Sequence, residues 1–277
     1  MKKIGFIDYY LSEWHANNYP AWIEAACKRL GYDYAVAYAW AELDRSPVDG
    51  MTSLAWCKKF NVELCADIEE LCRKSDVILI LAPSDPDKHL GYAKKAFAFS
   101  KRTYIDKTFA PDYKTAEEIF SLAEKNKVAF FSTSALRYAD EIRSVSGVER
   151  AEIFGGGSNF DEYIIHQIEM AVEIFGFGAV SVKRTDKDGG TDCEIRYADG
   201  RAAVLHFAPE FDFKVRFCFS DGHTDEKMIR SGYFQTLMEK ILTFYETGNI
   251  DFDGKQTLEI MKIREKLIAS KNGEIRL

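Results

Sequence analysis

The sequence predicts a two-part chain: an α/β half built on a parallel, helix-covered sheet, then an α+β half with an open, mainly antiparallel sheet. Three observations carry this reading. Val77-Ile78-Leu79-Ile80-Leu81 is a continuous apolar run, as expected of a strand covered on both faces. Phe213, Val215, Phe217 and Phe219 alternate with Lys214, Arg216, Cys218 and Ser220, the period of two of a half-buried strand. Asp199-Gly200 lies between two strand-like segments, 193–198 and 201–207, and reads as a hairpin turn.

The elements follow in order. Lys3–Asp8 is a short apolar first strand. A helix is expected over Tyr19–Leu30, stopped by Gly31, where a left-handed C′ residue costs little. Asp33–Ala39 reads as a second strand, and Glu42–Gly50, with Pro47, as loop. Asp67 and Glu70 form an N-cap and its capping-box partner for a helix ending near Lys74-Ser75. After Val77–Leu81, a loop with Pro83 and Pro86 opens a helix through Phe97, and Arg102–Asp106 is another strand. Thr115 with Glu118 is read as the cap of a helix over Ala116–Lys125, and Val128–Ser132 is a further strand. Strand and helix alternating at this spacing mark a parallel sheet. Beyond about Tyr138 the antiparallel pattern takes over. Phe234, Leu237, Met238, Ile241, Leu242 and Tyr245 make one apolar helix face, and a last helix runs over Thr257–Ser270.

Composition narrows the function classes. The chain has 277 residues, 47% of them hydrophobic, enough for a sizeable core and two modest domains. A net charge of -7 argues against nucleic acid or an anionic membrane surface as partner. No apolar run approaches the roughly 18 residues of a membrane span, and the start of the chain lacks the apolar stretch of a signal peptide, so a cytoplasmic location is expected. The six cysteines make no Cys-x-x-Cys pair and read as buried or incidental thiols.

Several segments together resemble one family. Asn61-Val62-Glu63, Asp67–Leu71 and Ser75–Pro83, then His89 at the next helix, then Tyr104-Ile105-Asp106-Lys107-Thr108 in place of a Glu-Lys-Pro signature, resemble the Gfo/Idh/MocA oxidoreductases. Arg137-Tyr138, Asp253-Gly254 and Gly273–Leu277 continue the resemblance. It implies a Rossmann-like, dinucleotide-binding-type domain over residues 1–136 and an α+β antiparallel-sheet domain over 137–277 that serves substrate and dimerisation. It also implies hydride transfer between NAD or NADP and a sugar, polyol or related small hydroxy compound, with a homodimer as the assembly. The cofactor positions it implies are Asp8, Tyr10, Ser12, Ala82, Pro83 and His89.

The first loop departs from the family pattern. A G-x-G-x-x-G fingerprint lets the backbone approach a pyrophosphate at a helix N-terminus. Here the three glycine positions are Asp8, Tyr10 and Glu13. Two acids oppose a pyrophosphate and the tyrosine adds bulk, so a member that has lost cofactor binding, serving as a ligand-binding or scaffold protein, stands as the alternative. Trp40, Glu42 and Asp44 are the candidates for the acidic residue after the second strand.

The catalytic candidates are Lys107, His166 and Glu162. Lys107 falls at the carboxyl end of a parallel strand, the edge where open α/β sheets bind ligands. Glu162, His166 and Glu169 lie at i, i+4 and i+7 on one helix face, and resemble the family's Asp-x-Gly-x-His-x-x-Asp pattern with Ile164 in the glycine's place. An imidazole there suits proton transfer near neutral pH, supported by Glu162. A solvated polar face extended by Glu173 is the plain alternative, and a metal site a third; no metal is assigned. His15 and His89 begin helices and could face a cleft, whereas His206 and His223 read as structural. The dense aromatics Tyr9, Tyr10, Trp14, Tyr19 and Trp22 read equally as filling for a dinucleotide's space, as core or as a partner surface.

Overall fold

The computed structural model describes residues 1–277 and divides into two compact units. The first comprises Met1–Thr133 with Phe234–Gly254, the second Ser134–Tyr233 with Lys255–Leu277. A division at 136/137 would put Phe234–Gly254 with the second half; by its contacts that segment groups with the first.

The first unit is a six-stranded parallel sheet. Its strands are β1 (Lys2–Asp8), β2 (Tyr34–Ala41), β3 (Glu63–Leu64), β4 (Val77–Ile80), β5 (Thr103–Ile105) and β6 (Phe130–Phe131), in the spatial order β3-β2-β1-β4-β5-β6. That order reverses direction between β1 and β4, the switch point where this class of sheet binds ligands. The centre is the driest part: Ile4, Phe6 and Ile7 of β1 and all of β4 are buried. The helices are α1 (Trp14–Leu30), α2 (Ser53–Phe60), α3 (Ile68–Lys74), α4 (His89–Ala96) and α5 (Tyr113–Asn126).

Two helix starts differ from the sequence reading, for one reason. Helix α1 begins five residues before Tyr19, because the Glu13 side chain accepts from the amides of His15 and Ala16 and caps it. Helix α5 begins at Tyr113, because Asp112 accepts from the Thr115 amide at 2.7 Å; Thr115 is inside the helix rather than its cap. In each case an acidic side chain further upstream takes the first-turn amides. Helix α3 is capped as expected: Asp67 accepts from the Glu70 amide, and Glu70 reaches back to the Ala66 amide at 2.8 Å.

The helix Tyr233–Thr247 (here α7) closes the first unit. The Tyr245 hydroxyl donates to the Ile78 carbonyl of β4 at 2.6 Å, and the Phe244 ring meets Phe131 of β6 edge-on, centroids 5.0 Å apart. Arg102 donates to the carbonyl of Tyr245 at 2.6 Å, at the helix's C-terminal end.

The second unit holds a seven-stranded sheet in the order β12-β11-β7-β10-β9-β8-β13. The strands are β7 (Val148–Gly155), β8 (Ala179–Lys187), β9 (Gly190–Tyr197), β10 (Ala202–Phe207), β11 (Lys214–Phe219), β12 (Thr224–Met228) and β13 (Glu274–Arg276). Only the β7–β10 pairing is parallel, so the sheet is mainly antiparallel as expected. The β9–β10 turn is made by Asp199-Gly200, with Gly200 at φ 91° and Asp199 accepting from the Arg201 amide. Val215 and Phe217 are buried, while Arg216 on the other face pairs with Glu226 and Glu152. Helices α6 (Phe160–Phe175) and α8 (Gln256–Ser270) complete the unit, and Gln167 of α6 donates to the carbonyls of Ile153 and His206. No helix of the chain is long and apolar enough to cross a membrane.

Two glycines give a paired prediction. A Cβ on Gly156 would lie 1.6 Å from the Ala208 carbonyl oxygen, so backbone must move. Gly156→Ala is expected to cost at least ~2 kcal/mol. A Cβ on Gly91, exposed inside α4, would meet nothing within 4 Å. Gly91→Ala is expected to stabilise by about 0.5–1 kcal/mol, because alanine loses less backbone entropy in a helix. Urea melts of the two variants beside the parent protein check both signs.

Candidate functional site

At the carboxyl edge of the first unit's sheet, three acids converge. Asp8 ends β1 and is fully buried; its Oδ1 accepts from the Tyr9 amide at 2.7 Å and the Ala82 amide at 3.0 Å. Those bonds help hold Ala82 at φ 62°, a left-handed conformation that a β-carbon disfavours. The Asp8 Oδ2 is buried without a partner. Burial, and then the charge of Glu13, push the Asp8 carboxyl well above its ordinary range. Glu13 is itself raised by burial, with His15 and the two capped amides opposing.

The third acid, Asp106, follows β5. Its Oδ1 accepts from the Lys107 amide at 2.8 Å, and its Oδ2 is bonded to His15 Nδ1. The Tyr19 hydroxyl donates to the same Oδ2 at 3.3 Å. Burial opposes the charge on Asp106, but His15 and Lys107 outweigh it and hold the carboxyl below its usual range.

The remaining expected positions are placed as follows. Lys107 is largely buried at the end of β5. Tyr10 is half-buried with its ring 5.9 Å from that of Tyr9, and Pro83 is half-buried after Ala82. Ser12 is buried, donates to Asp49 at 2.7 Å and accepts through its carbonyl from Ser46, so it ties the first loop to the loop after β2. His89 is fully buried with Nδ1 on the Phe109 carbonyl and Nε2 on the Leu81 carbonyl, an arrangement that stitches β4 to the segment after β5. Burial pushes its pKa down. Glu42 directly follows β2 and is engaged by Lys88 and Tyr92.

In the second unit, His166 is half-buried on α6 and its Nδ1 lies 2.7 Å from the Ser134 Oγ. Glu162 sits at the start of α6, where its amide is capped by Asn159 and its carboxylate accepts from the Asn159 side chain at 3.1 Å. Glu169 belongs to neither a solvated stripe nor a metal site. It is buried, accepts from the Ser134 amide at 3.0 Å and from Arg137 Nε at 2.9 Å. Arg137, 1% exposed, also reaches Glu173 and Gln256. No group of three His, Cys, Asp or Glu side chains is placed to hold a metal.

Comparison with known proteins agrees with this architecture. Residues 48–134 match the model of an oxidoreductase family with an NAD-binding Rossmann fold, GFO_IDH_MocA. An uncharacterized oxidoreductase of Escherichia coli K12, YhhX, is 25% identical over 107 residues, which span 37% of this chain but only 31% of that protein. Solved structures extend the likeness in fold to nearly the whole chain. The dehydrogenase MviM of Clostridium difficile superposes with a TM-score of 0.73 at 15% identity, covering 97% of this chain and 99% of that one. GenD2 of gentamicin A biosynthesis, solved in complex with NAD, gives 0.78 at 9% identity, covering 100% and 97%.

Residues 48–134 are thus similar to the Gfo/Idh/MocA oxidoreductases, and the likeness in fold extends over nearly the whole chain.

Against that family's pattern the first loop is unusual. A dinucleotide's pyrophosphate needs free amides at the start of the helix after β1. Here the amides of His15 and Ala16 are taken by Glu13, and the buried carboxyl of Asp8 is coupled to Glu13 by charge. The residues do not fit a pyrophosphate in that position.

Two outcomes are expected from the site. Because burial and Glu13 raise the Asp8 pKa in the fold, its contribution to stability is complete below its ordinary value of 3.8 and shrinks as pH rises above it. Asp8→Asn keeps the acceptor oxygen and removes the charge, so its melting temperature is expected to match the parent near pH 4 and exceed it by a few degrees at pH 8. Thermal melts across that range check this; a constant difference would contradict it. Arg137→Ala leaves Glu169 buried beside no cation and is expected to cost about 3–5 kcal/mol in a denaturant melt.

Proposed function

We propose that this chain is an oxidoreductase for a sugar, polyol or related small hydroxy compound, with His166 moving the proton of the substrate hydroxyl. The observation that carries this reading is the His166 ring fixed through Nδ1 by Ser134, at the place in α6 where the family pattern has its acid/base histidine. Ser134 is itself held, because its amide donates to the buried Glu169. A ring held in a fixed orientation is suited to proton transfer. Glu162, one turn earlier on α6, is assigned to support the imidazolium, and Lys107 to orient a ligand hydroxyl. The same reading has the protein working in the cytoplasm as a homodimer.

The family supplies NAD or NADP as the hydride partner, and Asp8, Tyr10, Ser12, Ala82, Pro83 and His89 are the positions proposed to flank it. A second reading, in which the chain kept the fold, lost the dinucleotide and acts as a ligand-binding or scaffold protein, rests on the capped first turn of α1.

Titration with NADH and NADPH separates the two, followed by cofactor fluorescence and by thermal shift. Binding at micromolar levels, with a rise in melting temperature, is expected for the oxidoreductase. No shift at about millimolar cofactor establishes the second reading.

A further inference from the structure

Two buried histidines of the first unit are treated differently by the fold. His89 spends both ring nitrogens on backbone carbonyls, as a structural histidine does. His15 spends one. Its Nδ1 is bonded to Asp106, so in the neutral form of the ring Nδ1 carries the proton and Nε2 is the acceptor. The Tyr19 ring stacks on the imidazole, centroids 5.1 Å apart at 16°, and its hydroxyl lies 3.3 Å from both Nδ1 and Asp106 Oδ2. The ring is thus fixed in place and tautomer, while no side chain or backbone group of the chain is bonded to Nε2 and the side chain keeps 10% of its surface accessible.

Beside it stands an aromatic surface. Trp14, at the start of α1, is 53% exposed, and its ring meets His15 edge-on at 5.2 Å. Trp22 and Phe234 back it at 5.4 and 5.0 Å, so the indole is held in place although its outer surface is bare. A positioned imidazole acceptor next to a supported, exposed indole is the chemistry that recognises a polyhydroxylated carbon skeleton: the indole covers its C–H surface while a hydroxyl donates to nitrogen.

We propose that His15 and Trp14 form a hydroxyl-binding site in the first unit, taking a sugar or polyol, with Asp106 as the residue that fixes the His15 tautomer. The site involves no dinucleotide. The neighbouring Glu13 suits it: an acid there disfavours an anionic ligand and tolerates a neutral one. It shares with the proposed function only the ligand class, and each can fail without the other.

The test uses the full chain with myo-inositol, D-sorbitol and D-glucose as probes, read by tryptophan fluorescence and by long-range proton–nitrogen NMR of the histidine rings. In the free protein His15 is expected to show a protonated Nδ1 and a bare Nε2. At least one probe shifts the Nε2 resonance and changes the indole emission. His15→Gln and Trp14→Ala each weaken that binding about tenfold. Asp106→Asn moves the His15 proton toward Nε2 and weakens binding similarly. Trp14 is exposed, so Trp14→Ala serves should His15→Gln fold poorly. If none of the three probes moves the His15 nitrogen, or if binding survives Trp14→Ala unchanged, the proposal is overturned. The NADH titration is unaffected by either result.

Discussion

The bond on which the first unit's edge depends is the one from Glu13 to the first turn of α1. A helix start offers unpaired amides and a partial positive charge, and some acceptor must meet them. In this chain the acceptor is covalent and permanent. That fixes where α1 begins, turns His15 inward onto Asp106, and sets Trp14 outward. It also brings Glu13 and Asp106 close enough to raise the Asp8 carboxyl, while His15 and Lys107 lower that of Asp106. A loop of three glycines would leave the same amides open, with no side chain to direct any of this.

The second unit solves a parallel problem with different groups. Arg137 is buried, and a lone guanidinium there would be very costly. Glu169 and Glu173 compensate it, and Glu169 also takes the Ser134 amide. Ser134 in turn positions His166. The order of that histidine is therefore coupled to a buried ion pair several bonds away. The pair is weak evidence of stability, since apolar replacements often hold a fold as well.

Much of this was legible in the residues themselves. The apolar run at β4, the alternation along β11 and the Asp199-Gly200 turn each depend on neighbours within a few positions. The starts of α1 and α5 were not, because several residues can cap a helix and only the backbone conformation selects one. Helix α7 showed its apolar face clearly, but amphipathicity does not name the surface it covers, so its packing on β4 and β6 was hidden. His15 and Asp106 lie 91 positions apart. What could have hinted at them is the strand-end position of Asp106 and the helix-start position of His15, both at the edge where parallel sheets carry their ligands. Glu169 looked like surface because spacing places it on the face of His166; its burial comes from Arg137, which no local pattern announces.

The return of Phe234–Gly254 to the first unit has a consequence for how the protein is made. A ribosome releases the six parallel strands long before it releases the helix that covers part of β4 and β6. At ~5–20 residues per second, the hundred or so intervening residues hold that surface open for several seconds. Through that interval Phe131 and the Ile78 carbonyl lack their later partners, and the nascent domain matures only once Phe234–Gly254 has been made. The half of the molecule that is begun first is thus completed only after most of the other half has been made.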